Sequence, residues 1–572
     1  MHNLSARIRR VAVSTVAGCL LWVGTGAAET NTATDASFGS FVSCNGRVGF
    51  RTSELLQNQT DLNGDLDFAD NVLQVINLGS GIITNVNRDA SGPFACGGHL
   101  FAFGVSEFNQ GGVDLNGDLD AFDNVLHVYN ASTTTLTNTG LAVSWVKASA
   151  DLVAFGVPEA LQGALGTDLN GDLDTSDVVL HVFDPIALTS TNVAQEASST
   201  AIVAGSRVAF LTGEAAQGAV SLNSDTDTLD NVLQVYDYAA LTLTNVGRQA
   251  ETNLQFNGDA VAFLVSESAE ASTSFNPDPD ASDRVIQTYC VPLAPCATLG
   301  LNNLALAADA LALDGDVLAF GVGERRQHST DLNGDGDRGD TVLHVHRLST
   351  GATTNTMKAA YRGVSKVAGN FVVFKTLERN QNKTDLNGDG DKRDMVAQVY
   401  DVLGATTTNT GRAVGRNCTN ASTPDSDACY AVRGDNLMLL TRERDQNRTD
   451  LNGDTDIRDR VVELWRLSTS ALSSSGRAAT RRGGLAVGNS IAAFRRYERE
   501  EKVDLNGDGD RRDYISAVFD TATLMTTTLS SAEDLFLVEG DTVVIRTREG
   551  VESVDLNSDA DFDDGILQYE AF

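Results

Sequence analysis

Basic residues are scarce in this chain of 572 residues: 42 lysines and arginines stand against 77 aspartates and glutamates, a formal charge of -35. Nucleic acid and anionic membrane surfaces need a basic face, so this balance argues against both as partners. Prolines number only 8, while 42% of residues are hydrophobic, which excludes a disordered low-complexity chain and leaves enough apolar mass for a core. Beyond the N-terminus no apolar run is long enough to span a bilayer. The words of common catalytic sites (GxSxG, HExxH, the P-loop, the dinucleotide fingerprint) are also missing, so any catalytic site would have to be assembled by the fold.

The N-terminus has the order of an export signal: Arg7, Arg9 and Arg10, an apolar stretch from Val11 to Val23, then small residues ending at Ala27 and Ala28. A signal peptide is expected over 1–28 and a mature chain over 29–572, secreted, periplasmic or at the cell surface. The stretch "VAGC" ending at Cys19 resembles a bacterial lipoprotein cleavage box, which keeps a lipid anchor open as the alternative. Six cysteines then remain, and the even number in an oxidising compartment suggests the pairs Cys44–Cys96, Cys290–Cys296 and Cys418–Cys429. Free thiols or a metal site are the alternative, although no CxxC spacing favours zinc.

One acidic word organises the rest. It begins at Asp61, Asp114, Asp168, Ser221, Ser274, Asp331, Asp385, Asp450, Asp504 and Asp555, which makes ten repeats of about 54 residues. Within each, a short strand such as "LVAFGV" (152–157) leads to a glutamate and the acidic loop, followed by a strand such as "VLHVY" (125–129) and a threonine-rich strand such as "TTTLTNTG" (133–140). β-Branched residues between Gly, Asn and Asp punctuation predict strands, with no amphipathic helix. Three or four strands per unit, repeated, predict an all-β fold, a β-propeller of ten blades. The last repeat stops at "ILQYEAF" (566–572) without its threonine-rich strand, and the mature chain begins with the similar "ETNTATDAS" (29–37). That pattern predicts one closed ring, with two five-bladed rings as the alternative.

Numbering each word from its first residue, asparagine stands at position 3 and aspartate at positions 5, 7 and 10 in all ten, and the aspartates at positions 1, 5, 7 and 10 make up 38 of the 77 acidic residues. Oxygen side chains at alternate positions around a glycine-bearing turn suit a hard cation with six to eight oxygen ligands, calcium before magnesium. The candidate ligands are Asp61, Asn63, Asp65, Asp67 and Asp70 in the first loop and Asp114, Asn116, Asp118, Asp120 and Asp123 in the second. The third offers Asp168, Asn170, Asp172, Asp174 and Asp177, and the fourth Asn223, Asp225, Asp227 and Asp230. The sixth and seventh offer Asp331, Asn333, Asp335, Asp337 and Asp340, and Asp385, Asn387, Asp389, Asp391 and Asp394. The eighth to tenth offer Asp450, Asn452, Asp454, Asp456 and Asp459; Asp504, Asn506, Asp508, Asp510 and Asp513; and Asp555, Asn557, Asp559, Asp561 and Asp564. Serine replaces the first aspartate at Ser221 and Ser274, and Pro277 replaces the usual glycine, so the fourth and fifth loops are the weaker candidates.

A glutamate precedes every loop by six, seven or nine residues, among them Glu324 and Glu378, with glutamine or glutamate three residues further on. This glutamate is expected either to complete the cation site or to pair with the loop backbone. His127, His181 and His344 share one strand position that Gln, Glu or Ser fills in other repeats. They read as polar residues packed between blades.

The strand order resembles the blades of TolB-like propellers. The loop word resembles the calcium loops of dockerins, thrombospondin type 3 repeats and integrin α-subunit propellers, all variants of D-x-[DN]-x-D. It departs from them in its aspartates at positions 7 and 10, which leaves the closing ligand undefined. The resemblance implies up to about ten Ca²⁺ ions in a monomeric, calcium-stabilised binding or adhesion scaffold for a protein or carbohydrate ligand. An extracellular polysaccharide-acting enzyme and a purely structural envelope protein are the alternatives.

Overall fold

The computed structural model describes residues 29–37, 39, 41–363, 365–416, 429–480 and 484–572. The expected signal peptide, Cys19 and Cys418 lie outside them. The described residues form antiparallel strands joined by short turns, and their helices are single turns of three or four residues. The first unit sets the pattern, with strands Val42–Cys44, Arg47–Ser53, Asn71–Asn77 and Ile82–Asp89 paired in that order. The second and third strands are mostly buried because a small sheet must cover both faces against neighbours, while the fourth is mostly half-buried, with Ile82 and Asn87 exposed.

Eight sheets have four strands and one has seven. In the seven-stranded sheet, the fifteen-residue strand Gly300–Asp314 pairs with Arg284–Cys290 through its first half and with Val317–Gly323 through its second. It therefore serves as the fourth strand of one unit and the first of the next, so the described residues form ten four-stranded units. Each fourth strand carries a bulge, as where the register slips between Val125 and His127 opposite Asn138.

Unit 10 is completed by the other end of the chain. Strand Thr30–Asp35 pairs antiparallel with Gly565–Ala571, with Asn31 opposite Gln568 and Asp35 opposite Ile566. The exposed "TNT" of the N-terminus thus stands where "TTNTG" stands in other units. Apolar clusters join each unit to the next: Phe101 and Phe103 of unit 2 pack on Leu73 and Val75 of unit 1. Phe50 and Ile76 of unit 1 pack on Val544 and Leu567 of unit 10. The fold is an all-β repeat of β-propeller type.

Cys44–Cys96 bridges the first strands of units 1 and 2, and Cys290–Cys296 closes a short insertion after its strand, both as expected from the cysteine positions. His127, His181 and His344 are buried, and each donates Nδ1–H to a carbonyl of its own strand (His127 to Val125 O, 3.2 Å) while packing on a phenylalanine of the preceding strand. Burial lowers all three to about 4, so they are neutral packing residues.

Candidate cation centres in the acidic loops

Each loop connects the second and third strands of its unit, and the buried glutamate at the end of the second strand holds it, at both ends in eight units and at the first end alone at Glu54 and Glu549. Glu324 Oε1 accepts the backbone N–H of Leu332 at position 2 (2.7 Å), and Oε2 accepts that of Asp340 at position 10 (3.0 Å). Glu378 repeats this with Leu386 (2.6 Å) and Asp394 (3.0 Å). All ten glutamates are fully buried, which explains their presence in every repeat: a carboxylate with this geometry satisfies backbone donors that the turn leaves open. The expected backbone pairing is therefore present, and it orients the carboxylate toward the loop.

The other positions have distinct roles. Asp61 at position 1 accepts the N–H of Gly64 (2.5 Å) and of Leu66 (3.1 Å), closing the turn on itself. Asn63 at position 3 accepts from Asp65 N–H (3.2 Å) and donates Nδ2–H to Asp70 Oδ2 (2.6 Å). Its second amide hydrogen reaches the Asn109 carbonyl of the next unit (3.1 Å). The same asparagine bond to position 10 recurs in every loop, for example Asn116 to Asp123 (2.9 Å) and Asn452 to Asp459 (3.0 Å). Asp65 and Asp67 each spend one oxygen on the N–H two residues on. Their second oxygens are left for another partner.

What converges is the glutamate with positions 5, 7 and 10. One oxygen from each of Glu159, Asp172, Asp174 and Asp177 lies within 4.8 Å of the others, and so do those of Glu549, Asp559, Asp561 and Asp564. Glu54, Asp67 and Asp70 form the equivalent group in unit 1. In the four-carboxylate groups burial grades from the glutamate and position 10 inside to position 7 outside. These groups could hold metal ions.

Loops four and five, weak by sequence, form the same groups: Glu214 with Asp225, Asp227 and Asp230, and Glu267 with Asp278, Asp280 and Asp283. Loss of the first aspartate does not disturb them because position 1 works on the turn backbone. Asp278, Asp280 and Asp283 of the fifth loop, a weaker candidate by sequence, join such a group, and the glutamate expected either to complete the site or to pair with the backbone stands in it. The constant place of these residues relative to the loop was the available signal.

The carboxyl at position 10 is raised throughout, to about 7 at Asp70, Asp123 and Asp340, about 6 at Asp177 and Asp230, and about 8 at Asp564. Burial is the main cause, with the neighbouring carboxylates at positions 5 and 7 adding to it. A further observation concerns buried oxygens without hydrogen-bond partners among the described residues. Glu54 Oε2, Asp65 Oδ2, Asn276 Oδ1, Glu549 Oε2 and Asp564 Oδ1 are such atoms at these loops, and Gln234 Oε1, Gln287 Oε1 and Asp534 Oδ1 are such atoms elsewhere. Buried polar atoms are normally satisfied, and the four orphaned carboxylate oxygens at the loops suit a positive partner.

The loops are also linked to one another. Asn116 reaches the Leu161 carbonyl (3.2 Å), Asn170 that of Ala216 (3.1 Å), and Asn333 that of Asn380 (3.1 Å), each in the next unit. The glutamine three residues past the glutamate binds backward: Gln57 accepts Asp35 N–H (2.7 Å) and Gln110 accepts Asp89 N–H (3.0 Å). In eight units a fourth-strand asparagine ties the loop to its own sheet, as Asn85 does at Leu62 O (2.8 Å) and Asn31 at Leu556 O (2.8 Å), whereas units 8 and 9 place Ser474 and Thr528 there. The acidic loops therefore lie side by side on one face.

A cavity of about 620 Å³ opens between units 9 and 10, lined by Arg495, Glu533, Asp534 and Arg546 together with Asp513 of loop 9 and Asp563 of loop 10. Two of its acids are paired: Glu533 with Arg495 (2.8 Å) and Asp534 with Arg546.

No protein-family model matches the chain, and no curated protein matches it. Among solved structures it is similar to the computationally designed Ika8 protein, at 10% identity and a TM-score of 0.31, over 71% of this chain and 93% of that one. It is also similar to the β-propeller domain of the Trilobed protease from Pyrococcus furiosus, at 9% identity and a TM-score of 0.28, over 67% of this chain and 96% of that one. TolB from Acinetobacter baumannii matches at 9% identity and a TM-score of 0.22, over 68% of this chain and 80% of that one.

Proposed function

We propose that this is an exported calcium-binding β-propeller, a single closed ring of ten blades acting as a binding or adhesion scaffold. The observation that carries the calcium reading is the set of orphaned buried oxygens at Glu54, Asp65, Glu549 and Asp564, within loops that repeat the same acidic spacing. All candidate donors there are oxygens, and three or four carboxylates in one group suit calcium before magnesium, which retains more of its water. In each loop the glutamate and positions 5, 7 and 10 would hold the ion, while positions 1 and 3 shape the turn. Packing of unit 10 on unit 1 and the Asn31 bond to loop 10 support ring closure. Two bridged cysteine pairs agree with an oxidising compartment.

The decisive experiment is thermal unfolding in calcium, in magnesium and in chelator, with bound metal counted on the purified protein. Calcium is expected to raise the melting temperature well above both other conditions. At an affinity of ~0.1 mM and millimolar calcium, each site adds roughly 1–2 kcal/mol. A melting temperature indifferent to calcium would overturn the reading. A glycan array on the calcium-loaded protein then tests for a carbohydrate ligand.

A further inference from the structure

The loop face has two unlike halves. The loops of units 1 to 4, within 53–71, 106–124, 158–178 and 213–231, contain 19 acidic residues and no lysine or arginine, whereas those of units 6 to 9, within 323–341, 377–395, 442–460 and 497–514, set sixteen lysines and arginines among 23 acidic residues. The first half instead exposes large apolar side chains: Leu66 at 89%, Leu119 at 84%, Leu173 at 92% and Leu229 at 81%, with Phe108 and Phe122 beside them. Across loops 6 to 9 the one exposed large apolar residue is Val503.

Position 6 makes the contrast informative. Leu66, Leu119 and Leu173 occupy it with φ of 80°, 84° and 81°, in the left-handed region that favours glycine. Loops 6, 7 and 9 place Gly336, Gly390 and Gly509 there, at φ of 91°, 92° and 99°. The turn thus has no need of a leucine, and an exposed leucine packs against nothing in its own chain. Three successive units keep a residue that both the backbone and water disfavour. Its use lies outside the chain.

We infer that the acidic, apolar half of this face docks on the mixed-charge half, which exposes arginine and lysine, of a second copy of the same chain, in a face-to-face two-fold dimer. This rests on reading the ten units as one closed ring. A two-fold axis lying in the face and running through units 5 and 10 sets unit 1 over unit 9, 2 over 8, 3 over 7 and 4 over 6, so each half meets its complement twice. Arg338, Lys392, Arg393, Arg458, Arg511 and Arg512 are exposed on the receiving loops. Their cations meet an acidic surface, their stems cover leucine, and guanidinium groups reach the faces of Phe108 and Phe122. A basin of about 810 Å³ between units 6 and 7, lined by Arg325, Arg338, Arg379 and Lys383 together with Asp337 and Asp340, lies where Leu173 and Leu229 of the other copy arrive.

Sedimentation velocity of the full chain in calcium tests this, with the melting temperature measured alongside. A dimer is expected, and L66G/L119G/L173G is expected to weaken it about tenfold or more while leaving the melting temperature unchanged or higher, since glycine suits that backbone. Arg338→Glu with Arg393→Glu and Arg511→Glu provides an independent disruption from the other half. A chain that stays monomeric while calcium raises its melting temperature overturns the dimer and spares the calcium reading. A dimer that both variants leave intact overturns it equally, as does a monomer that instead floats with phospholipid vesicles. Loss of the calcium effect with the dimer retained would strike the calcium reading alone.

Discussion

Glu324 shows how one side chain is shared between folding and binding: its two oxygens take the N–H groups at both ends of the loop, so its charge is fixed before any ion arrives. Glu324→Gln replaces an acceptor with an amide donor facing a backbone donor, which should cost about 2–3 kcal/mol at that loop and remove one bound ion. Asp340→Asn should remove the ion at a smaller cost to the fold, because Asn333 still finds a partner oxygen at that position. Metal counting with chemical unfolding on the two variants checks this; equal metal content with wild type would refute the assignment. The three buried histidines give a pH prediction. Their folded values of about 4 lie below the ordinary 6.5, so the unfolded chain binds protons first as pH falls. Stability is intact above 6.5 and declines by roughly 1.4 kcal/mol per unit per histidine down to about 4. Glutamine fills this position in several units, so H127Q/H181Q/H344Q should lose less stability than wild type between pH 6.5 and 4. Parallel denaturant titrations in saturating calcium isolate the histidines, because the carboxylates are common to both proteins.

At the scale of strands and loops, the exchange of chain ends offers a direct test. Removing residues 29–36 takes away the fourth strand of unit 10, the Asn31 bond to Leu556 and the Gln57 contact with Asp35. Hydrogen exchange should then rise over 535–571 and in loop 10, while units 3 to 6 keep their protection; a uniform change would deny that this strand closes the ring. The strand order and this completion were legible in the sequence because "TNT" at 30–32 matches "TNTG" at 137–140, a local word read by periodicity. The loop's division of labour was not. Positions 1 and 3 carry the residue types of a calcium loop, yet their oxygens lie on Gly64, Leu66 and Asp65 N–H groups, a matter of turn geometry that residue types do not encode. Likewise the glutamine after each glutamate, as at Gln110, serves the preceding unit's fourth strand, a contact between repeats that no spacing within one repeat reveals. Ser221 and Ser274 looked like losses of a ligand for the same reason. Their loops keep the carboxylate group because the glutamate and positions 5, 7 and 10 are unchanged.

The whole molecule concentrates half of its acidic residues on one face, and that sets how it should respond to ions in bulk. With a formal charge of -35, ten divalent cations would offset 20 charges at the places where the charge is densest. Without them, carboxylates in neighbouring loops repel across distances comparable to the Debye length, which is about 10 Å at 0.1 M salt and 30 Å at 0.01 M. Sodium chloride screens that repulsion without filling any site. In chelator, therefore, the melting temperature should climb steeply as salt rises from about 0.01 to 0.5 M, whereas in saturating calcium the same titration should give a much flatter line. Magnesium, binding the loops less completely, should fall between the two. The comparison separates site binding from screening, since only site binding makes the protein indifferent to further salt. Parallel lines in calcium and chelator would mean that the acidic face is stabilised by general ionic atmosphere alone, and the ordered positions of Glu, 5, 7 and 10 would then need another explanation.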